Sequence, residues 1–532
     1  MTAKIAEEAS AGHVRPNRLT LFCFYTLLVT TAILCLVWCK YRLFWVDELL
    51  EYYTDAKPSL QAIIVGQMKA PFSLEPPAFH LILHLLERVL PHPQVTARLP
   101  SIFGLLVTEC CVFWIAFRLT LSNVAGFAAM LLSFALVTVD YGPEARAYSL
   151  ITGCLAFALL SWQQAASRSA HRLLSLIGLS CGLGLALLLH FYGIFIAVPL
   201  WVGEAARSMQ RRKLDRGVLL ALSFGTACIL LDVPFERALA PFRLHYYDTG
   251  ETSWNMVPFT YVWFQQHFAV YFAGPALTSE ENAALMIVVL FYSLLITRMR
   301  KRVATHPIWV EVALATAGLL PFLELIFAQF SKVYVPRYSL PAVVGLAVLT
   351  PIVLLEFRLV RTLRVALICL LCFFSVRYAV NQILLSQANK QLKLSQISDN
   401  DHIEEALRPL SDKHIYVQDT ARFLVDHYYA LPDLESRIVG FYSASCELHW
   451  LHRDPASRFA KNMVDTAGLP FVTYGNLTDS PDPKLLIIYH DGGEEWIEQQ
   501  LQNTGIQVTP VAKVLGGDLV RVTFPSEQTC SG

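Results

Sequence analysis

From Leu19 to Cys39 the chain runs without one charged side chain. A hydrocarbon core about 30 Å thick needs roughly 20 apolar residues per helix, so this run is long enough to cross a bilayer. It is too long for the core of a signal peptide, and no small-residue cleavage site follows it. Similar runs recur as far as residue 383, and apolar residues make up 55% of the 532 against 16% charged, with a mean hydropathy of +0.46. That combination defines a polytopic membrane protein. Formal net charge is zero, which gives no electrostatic reason to expect a nucleic acid partner.

The apolar runs predict eleven spans, at 19–39, 99–117, 121–139, 147–165, 173–190, 191–206, 217–234, 283–297, 308–330, 338–356 and 365–383. Basic residues cluster at Arg15 and Arg18; Arg168 and Arg172; Arg207, Arg211, Arg212, Lys213 and Arg216; Arg298, Arg300, Lys301 and Arg302; and Arg358, Arg361 and Arg364. An N-inside arrangement of eleven spans puts every cluster on the cytoplasmic side, as the positive-inside rule requires. It also requires the continuous apolar stretch 173–203 to break at His190 and Gly193. Read as one helix, that stretch would invert everything after it.

Beyond about residue 385 the pattern changes. Short apolar runs at Lys413–Val417, Arg437–Tyr442, Leu485–Tyr489 and Asp518–Phe524 alternate with helical patterns at His402–Leu407 and Glu494–Asn503. This predicts a small α/β domain over 386–532, extracytoplasmic in the same topology. Ten of the twelve cysteines lie in apolar stretches; Cys446 and Cys530 lie in this tail. A disulfide is permitted outside the cytoplasm, and two free thiols are the alternative.

Ionisable residues at a membrane edge are costly and therefore candidate functional groups. On the outer edge the topology collects Asp47 and Glu48 in Trp45-Val46-Asp47-Glu48, Glu75 before Pro76-Pro77, Arg98 in Arg98-Leu99-Pro100-Ser101, Glu144 and Arg146 in the run Tyr141 to Tyr148, His190 in His190-Phe191-Tyr192-Gly193, and Arg337-Tyr338 after Pro336. The 41–98 loop carries two amphipathic patterns, Glu48–Ile64 and Phe79–Leu90, suited to helices lying in the interface. An acidic pair suits a general base toward a hydroxyl acceptor. Arginines suit a phosphate, which guanidinium binds bidentately. Each residue also has a plainer reading. Asp47-Glu48 could cap a helix, Arg98 and Arg337 could snorkel, His190 could end a helix, and Glu144 with Arg146 could form a local ion pair. No cluster has metal-ligand spacing, and no Walker loop or dinucleotide fingerprint occurs, so neither a metal nor another cofactor is indicated.

In order, over about residues 15–385, these pieces resemble the GT-C superfamily of membrane glycosyltransferases, in the branch of the protein O-mannosyltransferases and the bacterial lipid A aminoarabinose transferase. The resemblance implies a GT-C membrane domain over 1–385, with 41–98 as its catalytic loop. It implies a polyprenyl-phosphate sugar donor, a lipid, glycan or protein acceptor, inversion at the anomeric carbon, and a bacterial cytoplasmic (inner) membrane location with chemistry on the outer face. Asp47 best matches the catalytic carboxylate, and Glu48 would orient the acceptor or support the fold. One position departs: the residue before Pro-Pro is often basic in these relatives and here is Glu75. Either Glu75 is a second site carboxylate, or the phosphate contact has moved to Arg98, Arg146, Arg337 or Lys69. A flippase of lipid-linked sugars and a catalytically silent scaffold are the competing readings. A transporter would place its charges nearer the bilayer midplane.

Overall fold

The structure is a computed structural model that describes residues 16–90, 92–135, 138–167, 171–240, 242, 256–257, 260–261, 264, 280–302, 307–331, 334–354, 361–398, 414–430, 432–490, 496–514, 517–525 and 530. The expected helix at His402–Leu407, Lys413, and the basic residues Arg15, Arg168 and Arg358 lie outside the described residues. The chain divides into two compact units, one of 1–40, 89–233 and 250–384, the other of 41–88, 234–249 and 385–532.

In the first unit helices stand at all the expected spans: Arg18–Tyr41, Leu99–Thr120, Asn123–Ala135, Tyr148–Ala166, Arg172–Leu189, Ile194–Arg211, Arg216–Ala227, Glu280–Arg302, Trp309–Gly318 with Leu320–Ser331, Ala342–Leu354 and Arg361–Ser398. Among the described residues six helices are long and apolar enough to cross a membrane, or seven if the pair Trp309–Gly318 and Leu320–Phe330, bent by 51°, is one span. The helices Asn123–Phe134 and Ala342–Leu354 are apolar but short. Leu19, Phe22, Tyr25, Val29 and Ile33 of the first helix are exposed, a surface that lipid rather than water would solvate.

The 173–203 stretch does break where expected. Helix Arg172–Leu189 ends at His190, a 3-10 turn spans Phe191–Gly193, and helix Ile194–Arg211 follows. The Tyr192 backbone N–H donates to His190 Nδ1 at 3.1 Å, closing the turn. A Cβ on Gly193 would stand 2.2 Å from the Ala186 carbonyl oxygen, so only glycine fits where the chain doubles back. Helices Leu99–Thr120 and Tyr148–Ala166 also meet at backbone contact. A Cβ on Gly153 would lie 2.6 Å from Gly104 O, and one on Gly104 2.4 Å from Leu150 Cα. Small residues permit that approach in apolar surroundings.

Several basic residues counted at the helix ends are engaged in ion pairs. Arg207, 1% exposed, binds Glu204 at 2.8 Å and Asp215 at 2.9 Å, and Arg172 reaches Asp215 at 2.5 Å. Trp162 Nε1 donates to the same Glu204 at 2.8 Å. Breaking one partner of this set would leave a charge uncompensated, so these groups lock four helices together, Asp215 standing at the N-cap of the fourth.

The second unit contains a six-stranded sheet of β1 (Ile415–Val417), β2 (Ile438–Tyr442), β3 (Phe471–Thr473), β4 (Lys484–Tyr489), β5 (Val508–Val514) and β6 (Gly517–Val522), ordered β3-β2-β1-β4-β6-β5. The first four strands are parallel and β6 and β5 antiparallel. Helices Thr420–Tyr429, Ala444–Leu451, Pro455–Ala467 and Ile497–Thr504 join them. Phe441, Leu486, Trp496, Val520 and Val522 form much of the core. Cys446 and Cys530 form a disulfide with a Cα separation of 5.0 Å, which answers the question the sequence left open. The 41–88 segment forms helices Val46–Asp55, Leu60–Lys69 and Ala78–Glu87. The single helix expected over Glu48–Ile64 is therefore two, because Pro58 stops one and Ser59 caps the next, its Oγ accepting from Ala62 N–H at 3.1 Å.

Candidate active site

The acidic pair opens helix Val46–Asp55. Asp47 and Glu48 lie in its first turn, where the positive end of the helix dipole favours carboxylates. Their environments differ. Glu48 is fully buried and accepts a hydrogen bond from the Trp45 N–H at 3.3 Å, fastening the helix start. Asp47 is half-buried.

One and two turns further along the same helix stand Glu51 and Asp55, both buried, at i+4 and i+8 from Asp47 and hence on one stripe. Both carboxylates reach His80 Nδ1 at 2.9 Å. Gln67 Nε2 lies 3.1 Å from His80 Nε2 and donates to the carbonyls of Ser73 at 3.3 Å and Glu75 at 3.1 Å. Burial works against a charge on His80, but Glu51 and Asp55 outweigh it and hold the imidazole up at about 10. Burial pushes the Asp55 carboxyl up as well, against the pull of His80. This network ties Glu75, itself 3% exposed, to the acidic helix. Sequence reasoning missed it, although the spacing Asp47, Glu51, Asp55 was there to be read. Lys69 is exposed at the end of its helix, whereas Lys57 is buried with Nζ 5.1 Å from the Phe72 ring centre.

The first unit holds the remaining candidates. Arg98, expected either to bind phosphate or to snorkel, is fully buried and donates from Nη1 to the Cys39 carbonyl at 3.1 Å. It thus caps the C-terminal end of the first helix, where a cation is favoured. Glu144 is buried in the turn before helix Tyr148–Ala166. Ser101 Oγ donates to the Arg146 carbonyl at 2.6 Å, fixing that turn on helix Leu99–Thr120. Arg146 Nη2 donates to Tyr148 Oη at 2.9 Å. The guanidiniums of Arg146 and Arg337 lie 5.3 Å and 5.7 Å from the centre of the same Tyr148 ring. A small recess is lined here by Tyr148, His190, Tyr192, Arg337 and Tyr338 among others.

His190 reports the electrostatics of that recess. Burial and the charges of Arg146 and Arg337 hold its imidazole down at about 3, so the ring is neutral at physiological pH. With Nδ1 accepting from Tyr192, its proton sits on Nε2. The two guanidiniums give the recess positive potential, which favours an anion there. Tyr148 and Tyr192 were not singled out from the sequence, although both stand inside the motifs that carry the resemblance.

Glu324 was missed as well. It is fully buried on helix Leu320–Ser331, accepts from Val335 N–H at 2.9 Å, and takes a hydrogen bond from Ser339 Oγ. Those bonds clamp both ends of the 3-10 turn Pro336–Ser339 that carries Arg337 and Tyr338. An acid inside an apolar span was the available signal. Among the described residues no group of three or more His, Cys, Asp or Glu side chains could hold a metal ion.

The fold has a counterpart among solved structures. It is similar to the crystal structure of ArnT from Cupriavidus metallidurans in the apo state, with a TM-score of 0.56 at 12% identity over 94% of this chain and 98% of that one. The same protein bound to undecaprenyl phosphate gives a TM-score of 0.52 at 12% identity, over 93% and 97%. Within the chain, residues 74–234 match the sequence model of the dolichyl-phosphate-mannose-protein mannosyltransferase family. No curated protein matches in sequence.

Proposed function

We propose that the protein transfers a monosaccharide from a polyprenyl-phosphate carrier to a hydroxyl of a lipid, glycan or protein acceptor, with inversion, on the outer face of a bacterial cytoplasmic membrane. The observation that carries this reading is the pair Arg146 and Arg337 over Tyr148, beside a His190 kept neutral by burial and then by their charge. Two guanidiniums at an aromatic recess of a membrane unit suit the phosphate of a lipid. An apolar cavity of about 360 Å³ in the same unit, lined by Leu132, Ile287, Val288, Phe291 and Leu346 among others, suits part of an isoprenoid chain. The solved relative that holds undecaprenyl phosphate supports the same carrier class.

In the reaction, the acceptor oxygen attacks the anomeric carbon and its proton passes to Asp47. The bond from that carbon to the phosphate oxygen breaks, and the polyprenyl phosphate leaves with both electrons. Arg146 and Arg337 offset the charge on the departing phosphate. His190 can donate from Nε2 without adding charge. Glu48 and the His80 network position the acidic helix, and Arg98 holds a helix end. Eleven spans with the N-terminus inside fit the run of basic clusters, and the Cys446–Cys530 disulfide fits an oxidising side for the C-terminal domain.

The test is transfer of radiolabelled sugar from a panel of polyprenyl-phosphate monosaccharides by purified wild type and Asp47→Asn, counting lipid, glycan and protein fractions separately. Label entering one fraction with wild type alone supports the reading and names the acceptor class. Full activity of Asp47→Asn sinks the assignment of the base. Movement of intact donor across liposomes without transfer would favour a flippase.

A further inference from the structure

We propose that the C-terminal α/β domain sets the geometry of the acidic helix, with Tyr428, Tyr429 and Asn462 as positioning residues for Asp47 and Glu75. The inference rests on the transfer reaction proposed above, and it gives the appended domain a defined task.

The Phe44 N–H lies just ahead of the helix that starts at Val46, outside the hydrogen-bond ladder of that helix, and a buried backbone donor needs a partner. Tyr429 Oη accepts from it at 2.6 Å. The Phe44 side chain is 2% exposed and packs 5.7 Å from the Tyr428 ring, which also lies edge-on to Tyr52 at 5.2 Å. Phe44 and Tyr52 flank Asp47 and Glu48 in the chain, so a single ring braces both sides of the turn that carries the carboxylates. At the far end of the segment, Asn462 Nδ2 donates to the Pro71 carbonyl at 2.7 Å, four residues before Glu75.

Both braces are themselves rigid. Helix Thr420–Tyr429 follows directly from β1, is capped by Asp419 Oδ1 accepting from Ala421 and Arg422 N–H at 2.8 Å and 3.0 Å, and buries Phe423, Leu424 and Val425. Helix Pro455–Ala467 buries Phe459, Ala460 and Met463, leaving Asn462 half-buried at its rim. The sheet therefore dictates where both ends of the acidic segment lie. Tyr429 acts through its hydroxyl and Tyr428 through its ring, and this difference makes the proposal testable.

The experiment uses the full-length protein in detergent with the donor found active for wild type, comparing Tyr429→Phe, Tyr428→Phe, Tyr428→Ala, Asn462→Leu and, as a control on the opposite edge of the sheet, Lys513→Ala. Steady-state rates are read beside backbone hydrogen exchange. We expect kcat to fall at least tenfold in Tyr429→Phe, Tyr428→Ala and Asn462→Leu, with donor KM within twofold of wild type. Tyr428→Phe and Lys513→Ala should keep the wild-type rate. Exchange should quicken tenfold or more over residues 42–53 in Tyr429→Phe and stay unchanged over 99–120, with an unaltered thermal midpoint. Wild-type kcat in all three braced-site variants overturns the proposal, as does a rise in acceptor KM alone, which would make the domain an acceptor-binding module. If wild type transfers no label from any donor, the transferase reading itself fails. The exchange data then still decide whether these residues brace the helix.

Discussion

Replacing Gly153 by alanine puts a methyl group into the backbone contact between helices Leu99–Thr120 and Tyr148–Ala166. The new Cβ would stand 2.6 Å from Gly104 O, whereas ordinary contact begins at 3.4 Å, so the helices must part by about 0.8 Å. Overpacking of this kind costs about 1–3 kcal/mol. The displacement has a second effect, because the helix pair carries the Ser101–Arg146 bond. That bond, 2.6 Å long, would stretch to about 3.4 Å, past useful geometry, and lose about 1 kcal/mol more. A shift approaching 1 Å in a group that meets the substrate costs on the order of a hundredfold in rate, so transfer should fall ten- to hundredfold. The assay is thermal unfolding in detergent combined with transfer kinetics. Gly475→Ala serves as control, since the nearest atom to its Cβ lies 3.9 Å away. A Gly153→Ala protein with the wild-type midpoint and rate would refute the claim that these helices touch through their backbones and that Arg146 depends on that contact.

Glu324→Leu should raise donor KM and cost about 2–4 kcal/mol of stability, because it leaves Val335 N–H and Ser339 O–H without their acceptor; Glu324→Gln should recover part of both. His80, raised to about 10 in the fold from an ordinary 6.5, contributes stability that is complete below pH 6.5 and is lost as pH climbs through 10. Asp55, also shifted upward, acts in the same direction. Thermal midpoints should therefore fall between pH 7 and 10 in wild type and fall less in His80→Gln, which starts lower. Reducing the Cys446–Cys530 bridge, whose cysteines are 84 residues apart, or substituting Cys446→Ser, should cost on the order of 4 kcal/mol, read by unfolding with and without reductant.

Most of the membrane helices were legible because a bilayer imposes one length and one polarity on each, and the break at His190–Gly193 was legible because charge bias demanded it. The strands β1, β2, β4 and β6 show as apolar runs because parallel or central strands are buried on both faces. Two strands do not. β3 has three residues, and β5 is an edge strand interrupted by Pro510, where its register to β6 shifts between Pro510 and Ala512. For the site, motifs pointed to Asp47, Arg146, His190 and Arg337 one by one, but not to what holds them. The carboxylates Glu324, Glu51 and Asp55 stand in the sequence to be read, but nothing local announces that Glu324 meets Val335 and Ser339, that Glu51 and Asp55 meet His80, or that Tyr148 meets Arg337 from far along the chain. Arg98 was singled out by residue type as a phosphate ligand, and nothing local in the sequence foretold its bond to the Cys39 carbonyl.

The bonds from Phe44 to Tyr429 and from Pro71 to Asn462 join residues 385 and 391 positions apart. A ribosome working at about 5–20 residues per second takes roughly 20–80 s to cover that interval. Throughout it the segment bearing Asp47 has left the ribosome without the groups that hold it. A product truncated anywhere before the tail would therefore carry the Phe44 N–H and the Pro71 carbonyl without the Tyr429 and Asn462 partners that they have in the full chain.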